Sequence, residues 1–545
     1  HLGIRKMIKD TSNMTCGEGL LHLLKAYGVD TAFGIPGYHT VEFYRNFDKM
    51  DIRQVTPRHE QGSAYGAYGY AAATGKPGCC FLVTGAGVTN ATTAIGEAYS
   101  NSMPMLLLTT MNNVRELGMS GGRMHELRAQ DDILNQVTAF THTLLDSANL
   151  PEIMARAFAV FSGQRPRPVC IQIPQDVLAG PANFKIDAWP KAPKPGPDPK
   201  EVDRIADMLS LSKSTMMIVG GGAIPASEEV LKLAERLDVP VISSCAGKGV
   251  IPEDHPLCLG FTQAFDEVRD MLRDADVVMA IGTEFAEPDR YFTKDYPING
   301  QLVRIDIDPN QIMSYSKPAA ALVSDSKIAV EAILKALENK NGPQGDGSGA
   351  ALVAGTRAKF SGDLCSESPK HKKALEIIHR VLPKETVISA DASQICYTAL
   401  YHYPMKYPNL FHFPNGYAAM GFGLPVAIGM KVGAVDRPVA CITGDGSFQM
   451  TCEELAVAVE QKLSIPIIVW SNGGYQEIRQ YMDGKGLPTI GCDIYNPSFP
   501  KVAEAFGAYG ERPKSGEELE AALIKALVAD GPTIIEIDEQ DEWLA

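Results

Sequence analysis

No apolar stretch in this chain approaches the ~20 residues of a membrane span, so a transmembrane helix is not expected. A surplus of positive charge is missing as well. Fifty Lys and Arg against 65 Asp and Glu leave a formal net charge of −15, which argues against nucleic acid or an anionic membrane as the main partner. A phosphorylated cofactor stays open, because a local nest of backbone N–H groups holds phosphate even in an acidic protein. The 11 cysteines contain no C-x-x-C pair and no regular framework. Disulfides and zinc are therefore not expected, and the cysteines read as small buried hydrophobes of a reducing cytosol. The opening "HLGIRKMIKDTSNM" lacks the apolar core of a signal peptide, and its first His reads as the remnant of an expression tag. A cytoplasmic enzyme is the expectation.

What is present is length and buried-looking strands. The 545 residues suffice for about three domains of ordinary size, with 45% apolar and 21% charged residues typical of a globular protein. Two stretches read as linkers: the proline-rich "AWPKAPKPGPDPK" from Ala188 to Lys200, and the loose polar "ENKNGPQGDGSGA" from Glu338 to Ala350. They leave domains at 14–185, 200–340 and 368–545. Within them "PGCCFLVTG", "MPMLLLTT", "PVCIQIP", "TMMIVGGG", "DVVMAIGTE", "LVRIDID", "ETVISAD" and "IPIIVWSN" are continuous apolar runs. Such runs suit strands buried on both faces of parallel sheets, and the predicted fold is three doubly wound α/β domains.

The first and third segments echo each other. "KPGCCFLVTGAGVTNATTAIGEAYSNSMPMLLLTT" and "RPVACITGDGSFQMTCEELAVAVEQKLSIPIIVWS" share one plan of Pro, strand, Thr-Gly-x-Gly, helix, Pro, strand. Thr84-Gly85-Ala86-Gly87 falls opposite Thr443-Gly444-Asp445-Gly446, so only the later copy carries an acid. A Gly-x-Gly at a strand's C-terminal end is where open α/β sheets bind phosphate, although alone it is a weak signal. Asp445 and Asn472 sharpen it. They lie 27 residues apart, at the ends of what read as neighbouring strands. A hard oxygen-donor pair beside phosphate suits Mg²⁺, and Gly473-Gly474 lets the chain turn and offer a carbonyl. The structural alternative is that Asp445 caps a helix starting near Ser447.

At this point a resemblance carries the reading further. "GDGSFQMTCEELAVAVEQKLSIPIIVWSNGGY" resembles the thiamine-diphosphate motif, which runs from Gly-Asp-Gly to a terminal Asn-Asn. The resemblance assigns the metal to Asp445, Asn472 and the Gly474 carbonyl, and places Gly444, Gly446 and Ser447 against the diphosphate. Ser471 departs from the pattern, which has Asn there. "GIPGYHTVEFYRNF", "PRHEQGSAYGAYGYAAATGKPG", "PVISSCAGKGVIPEDHPLCLG" and "YAAMGFGLPVAIG" are similar to the pyrimidine-binding, central and diphosphate-binding domains of the acetolactate synthase, pyruvate oxidase and pyruvate decarboxylase superfamily. A thiamine-diphosphate-binding fold, thiamine diphosphate and Mg²⁺ are what this implies.

By the same resemblance Glu60, in "RHEQG", would hydrogen-bond the pyrimidine ring, and its small apolar surroundings favour burial. Taken alone, a Glu before Gln-Gly is an ordinary solvated helix start. Met420 would support the bent cofactor, Ala418 would receive the 4′-amino group on its carbonyl, and Ser393 and Gln394 would contact the diphosphate. Met420 by itself reads as core. A proton, a second oxo compound, or oxygen with flavin can each complete the reaction after CO₂ leaves. The resemblance puts Tyr38 and His39, in "GIPGYHTV", after a loop that faces the ring in the family, and would let His125, in "GGRMHELRAQ", donate a proton; taken alone, a His in a Gly-flanked loop reads as structural. Glu477 and Arg479 line the substrate mouth or are solvated helix charges.

"GIPGYHTVEFYRNF", "TPRHEQG", "GRMHEL" and "HTLLDSANLPEIMARAFAVF" resemble decarboxylases of 2-oxoarginine (5-guanidino-2-oxopentanoate). Non-oxidative decarboxylation to 4-guanidinobutanal would follow, with Glu126 or Glu477 facing the guanidinium. Two readings compete: an acetolactate-synthase-like carboligase, for which flavin (FAD) in the middle domain would speak, and a degenerate binding subunit. "AIGTEFAEPDR" gives no flavin signature either way. The resemblance also implies a homodimer or dimer of dimers, with each cofactor between domains of two subunits.

Overall fold

The computed structural model describes residues 13–290, 295–340, 345–360 and 368–545. The opening twelve residues, which carry the tag reading, and part of the second expected linker lie outside them. The remainder of that linker is not all coil, since a helix begins at Ser348. No described helix is long and apolar enough to cross a membrane. Every described cysteine is unpaired, and all but Cys452 are buried.

Three six-stranded sheets organise the molecule, and every strand pairing is parallel. The first holds β1 (Thr31–Gly34), β2 (Arg53–Val55), β3 (Gly78–Leu82), β4 (Met105–Met111), β5 (Phe140–Thr143) and β6 (Pro168–Pro174). The second holds β7 (Thr215–Val219), β8 (Val241–Ser243), β9 (Cys258–Gly260), β10 (Val277–Ile281), β11 (Gln301–Asp306) and β12 (Ala320–Val323). The third holds β13 (Val387–Ala390), β14 (Phe411–His412), β15 (Val439–Gly444), β16 (Pro466–Ser471), β17 (Tyr509–Glu511) and β18 (Thr533–Asp538).

Each continuous apolar run of the sequence is one of these strands. Their two-sided burial is visible on β10, where Val277, Met279 and Ile281 enter one core while Val278 and Ala280 enter the core on the other face. The sheet orders are β2-β1-β3-β4-β6-β5, β12-β11-β10-β7-β8-β9 and β14-β13-β15-β16-β18-β17. The first and third are the same order, so the echo in sequence is an echo in topology. The second has the strand order of dinucleotide-binding sheets. In the first and third sheets the order reverses between β1 and β3, and between β13 and β15. The crevice beyond the C-terminal ends of those strands is where doubly wound sheets hold ligands.

Seven helices carry the residues of interest: α1 (Glu60–Thr74), α2 (Ala86–Ser100), α3 (Gln394–His402), α4 (Gly423–Gly433), α5 (Asp445–Gln449), α6 (Leu455–Glu460) and α7 (Gln476–Gly484). His59 caps α1 by accepting the Gln61 N–H on Nδ1, and Gly75, at φ +68°, ends it. The two copies of the echo differ here. In the first, α2 runs unbroken for 15 residues; in the later one the chain leaves α5 after five.

By its contacts the chain forms two compact units. One gathers His1–Pro193, Leu424–Asp436 and Thr451–Leu463; the other gathers Lys194–Gly423, Arg437–Met450 and Ser464–Ala545. The stretch expected as one domain, 368–545, thus gives two pieces to the first unit. The cause lies on α1, whose Gly62, Gly66 and Gly69 share a face at helical spacing. A Cβ on Gly69 would fall 2.0 Å from the Val426 carbonyl oxygen, and one on Gly429 2.0 Å from that of Gly66. Only bare backbone lets α4 approach α1 this closely.

Candidate active site

In the second unit, the ends of β13, β15 and β16 bring together the residues singled out around Asp445. The Asp445 carboxyl is buried. Its Oδ2 accepts the N–H groups of Asn472 (3.0 Å), Gly473 (2.8 Å) and Gly474 (3.2 Å), together with the Asn496 side-chain amide (2.6 Å). Its Oδ1 accepts the Gly446 N–H at 2.7 Å. Asp445 therefore reaches across to the chain beyond β16, and it is the first residue of α5 rather than the cap of a helix starting near Ser447. Gly473 and Gly474, at φ +87° and +132°, make the turn that presents three successive N–H groups.

The Asn472 amide donates to Gln394 Oε1 (3.1 Å), and Gln394 in turn donates to Glu477 Oε2 (3.0 Å). The Ser447 hydroxyl donates to the Ala392 carbonyl at 3.0 Å. Ser393 Oγ is buried with no hydrogen-bond partner beyond the neighbouring Cys396 thiol. The N-termini of α3 and α5, both at the ends of adjacent strands β13 and β15, supply N–H groups and the positive ends of two helix dipoles.

Two residues escaped the sequence. Asn496 binds Asp445 and also donates to Ser471 Oγ (3.3 Å), while its own carbonyl accepts from Gln449 (2.9 Å). It thus connects the acid to Ser471, the position that departs from the motif. "YNPSF" gave no signal, since an Asn before Pro reads as a turn. The second is Asp391, buried at the end of β13. It accepts the N–H groups of Gly421 (3.2 Å), Gly423 (2.7 Å) and Ala392 (2.8 Å), and burial pushes its carboxyl up to about 6. It anchors the loop that bears Ala418 and Met420. Ala418 is exposed at φ +56°, the left-handed region that Gly enters without cost, and Met420 is half-buried.

The donor set suits a hard cation. Asp445 Oδ1, the Asn472 side-chain oxygen and the Gly474 carbonyl are all oxygens, and among the described residues no group of three His, Cys, Asp or Glu gathers as a metal site. A cation held here needs phosphate or water to complete its shell, which is Mg²⁺ behaviour. With the buried Ser393 hydroxyl and two helix N-termini, these residues fit a magnesium-bound diphosphate. Arg479 is committed elsewhere, to Asp493 and Thr489.

In the first unit, Glu60 opens α1 beside the acid-free copy of the glycine turn. Asn90, on α2, donates to Glu60 Oε2 at 3.0 Å, and a Cβ on Gly87 would lie 3.4 Å from Oε1. Glu60 is half-buried, less enclosed than its small neighbours suggest. The same turn seats the His125 loop. A Cβ on Gly85 would fall 2.3 Å from the His125 carbonyl oxygen, and Gln130 Oε1 accepts from Thr84 Oγ1 (2.9 Å) and the Gly85 N–H (2.8 Å).

His125 itself is exposed, at φ +57°, with its ring 5.3 Å from that of His39. His39 is buried, and its Nε2 faces the Asn112 amide at 3.3 Å while Nδ1 has no partner. Burial, with the nearby His125, lowers its pKa, so it stays neutral. Tyr38 is 71% exposed. Glu126 turns into its own loop, accepting the N–H groups of Gly121 and Arg123, which lowers its pKa.

Three models of thiamine pyrophosphate enzymes match in order along the chain: the N-terminal TPP binding domain at residues 14–137, the central domain at 202–335 and the C-terminal TPP binding domain at 391–537. "Probable 2-ketoarginine decarboxylase AruI" of Pseudomonas aeruginosa is 39% identical over 529 residues, which are 96% of this chain and 94% of that protein. "Probable acetolactate synthase large subunit" of Methanocaldococcus jannaschii is 30% identical over 549 residues, covering 96% and 92%. An X-ray structure described as a thiamin diphosphate-dependent enzyme from Mycobacterium smegmatis shares the fold, with a TM-score of 0.82 at 24% identity over 96% of this chain and 99% of that one. Since these matches run through all three sheets and both halves of the glycine echo, the chain belongs to the thiamine pyrophosphate enzymes.

Proposed function

We propose that this enzyme removes CO₂ from a 2-oxo acid without oxidation, and that the acid is 2-oxoarginine, giving 4-guanidinobutanal. The observation that supports the reading most is the likeness to a protein named for that reaction, 39% identical along 96% of the chain. When bound, thiamine diphosphate supplies the carbon nucleophile and the electron sink for such a decarboxylation.

The chain's own residues then have assignable tasks. Asp445, Asn472 and the Gly474 carbonyl would hold Mg²⁺, while Ser393, Gln394 and the N–H groups of Gly446 and Ser447 would hold the diphosphate. Glu60, steered by Asn90, would share a proton with the pyrimidine nitrogen N1′. Met420 and the Ala418 carbonyl would support the bent cofactor. A proton must replace the lost carboxyl group, and His125 is the exposed imidazole available to deliver it. Neutral His39 packs against it, and Tyr38 borders that pair. Glu477, held by Gln394, is the better candidate for the guanidinium, because Glu126 spends its carboxylate on its own loop. A homodimer, or a dimer of such dimers, would let the Glu60 half of one chain serve the Asp445 half of another.

The likeness to an acetolactate synthase subunit supports a second reading, carboligation of two oxo compounds. A panel of 2-oxo acids assayed for CO₂ release, with the product identified, tests both. The proposal expects 2-oxoarginine to be preferred over pyruvate and an aldehyde as product; equal rates remove the substrate, and a ligated product removes the reaction. A yellow, flavin-bearing preparation would favour the carboligase. Asp445→Asn should lower magnesium-dependent cofactor binding by roughly 100-fold, in line with losing a charge-assisted metal contact.

A further inference from the structure

We infer that Glu454 is a positioning residue for Glu60, fixing the turn from which α1 begins. The inference rests on the reading of Glu60 as the carboxyl that meets the cofactor's pyrimidine ring. In sequence the two are far apart, and "CEELAVAVE" reads simply as an amphipathic helix beginning seven residues past Asp445. In the first unit, Thr451–Leu463 folds back beside α1. Glu454 is 1% exposed there. Its Oε1 accepts the N–H of Arg58 and the N–H of His59, each at 3.0 Å. These are the two residues directly before Glu60.

The neighbouring contacts are arranged around that carboxyl. Gly62, the third residue of α1, has no side chain, and a Cβ there would fall 2.1 Å from Glu454 Oε1. The Arg58 guanidinium pairs with Glu460 at 2.5 Å, and Arg53 donates to Gln461 at 2.8 Å, so the same segment grips the approach to α1 at three points. Backbone N–H groups just ahead of a helix lie at its positive end, where an acceptor is favoured. A buried carboxyl is costly unless it satisfies donors that would otherwise go unpaired. Here it satisfies two, and burial raises its pKa to about 7. The hydrogen bonds of the carboxyl go to the backbone of Arg58 and His59. It acts through the backbone that aims Glu60.

Deuterium exchange at the reactive C2 position of thiamine diphosphate, bound with Mg²⁺ to wild-type and variant protein, reads this directly. Glu454→Ala should slow the exchange by roughly 100-fold, the cost of a misaimed catalytic group. Glu454→Gln should restore it, because the amide oxygen accepts the same two N–H groups. Gly62→Ala, which displaces the carboxyl without deleting it, should slow exchange as well, and it serves if Glu454→Ala does not fold. Exchange at the wild-type rate in Glu454→Ala, or in Gly62→Ala where the former is unfolded, overturns the inference. So does a Glu454→Gln variant as slow as Glu454→Ala. Wild-type protein that binds the cofactor without accelerating exchange would instead overturn the reading of Glu60.

Discussion

Ala418 shows how a single residue can be tolerated where the backbone prefers another. At φ +56° an L-residue carries about 1–2 kcal/mol of strain. The proposed role uses only its carbonyl, so the methyl group is a bystander. Ala418→Gly should raise stability by up to about 1 kcal/mol, since relief of strain exceeds the added freedom of the unfolded chain. Urea unfolding measures this, and a lowered midpoint would show that the methyl group packs. At the same scale, Asp445, Asn472 and Glu60 were legible in the sequence because a motif marks them. Asn496, Asp391 and Glu454 were not. Asp391 and Glu454 accept from backbone and Asn496 bonds the side chains of Asp445, Ser471 and Gln449. The position of every such partner depends on a fold, and an Asn, Asp or Glu in a loop or helix looks the same whether it meets one or faces water.

Among the elements, α1 carries the clearest conflict between local preference and packing. Glycine inside a helix costs about 1 kcal/mol relative to alanine. At Gly69 that cost is offset by the approach of α4, whose Val426 carbonyl oxygen and Met430 nitrogen would lie 2.0 and 2.8 Å from a Cβ. Backbone cannot swing aside as a side-chain end can. Gly69→Ala should therefore destabilise by about 1–3 kcal/mol in spite of the better helix former. A gain in thermal midpoint would mean that α4 is not seated on α1. The strands present no such conflict: their continuous apolar runs and their two-sided burial agree, which is why they were readable from pattern alone.

For the whole molecule, buried carboxyls set a pH dependence whose sign is worked out from their shifts. Burial raises Glu454 and Asp289 to about 7 and Asp391 to about 6. A raised pKa means the folded state holds its proton more tightly than the unfolded one. This stability is complete below the ordinary carboxylate range and is lost as pH climbs through about 6 to 7. Buried His412, lowered to about 4, with His39 and His142, works in the opposite sense between about pH 4 and 6.5 and partly masks the trend there. Above about pH 6.5 the carboxyls act alone, and stability should fall on the order of 1 kcal/mol per pH unit near neutrality. Urea midpoints of the cofactor-free protein between about pH 6.5 and 8 check it. A flat profile there would mean that the carboxyls are hydrated.

By itself the sequence determined the parallel sheets, the duplicated glycine turn and the acid that distinguishes its second copy, because strand period and short motifs are local. It also separated Asp445 from its counterpart Ala86. Only the tertiary structure decided that residues 424–436 and 451–463 belong to the unit of the first sheet, that Glu454 is more deeply buried than Glu60, and that Glu126 serves its own loop. Those outcomes depend on which backbones can touch, and that is settled by three glycines on one face of a helix meeting segments more than 350 residues away.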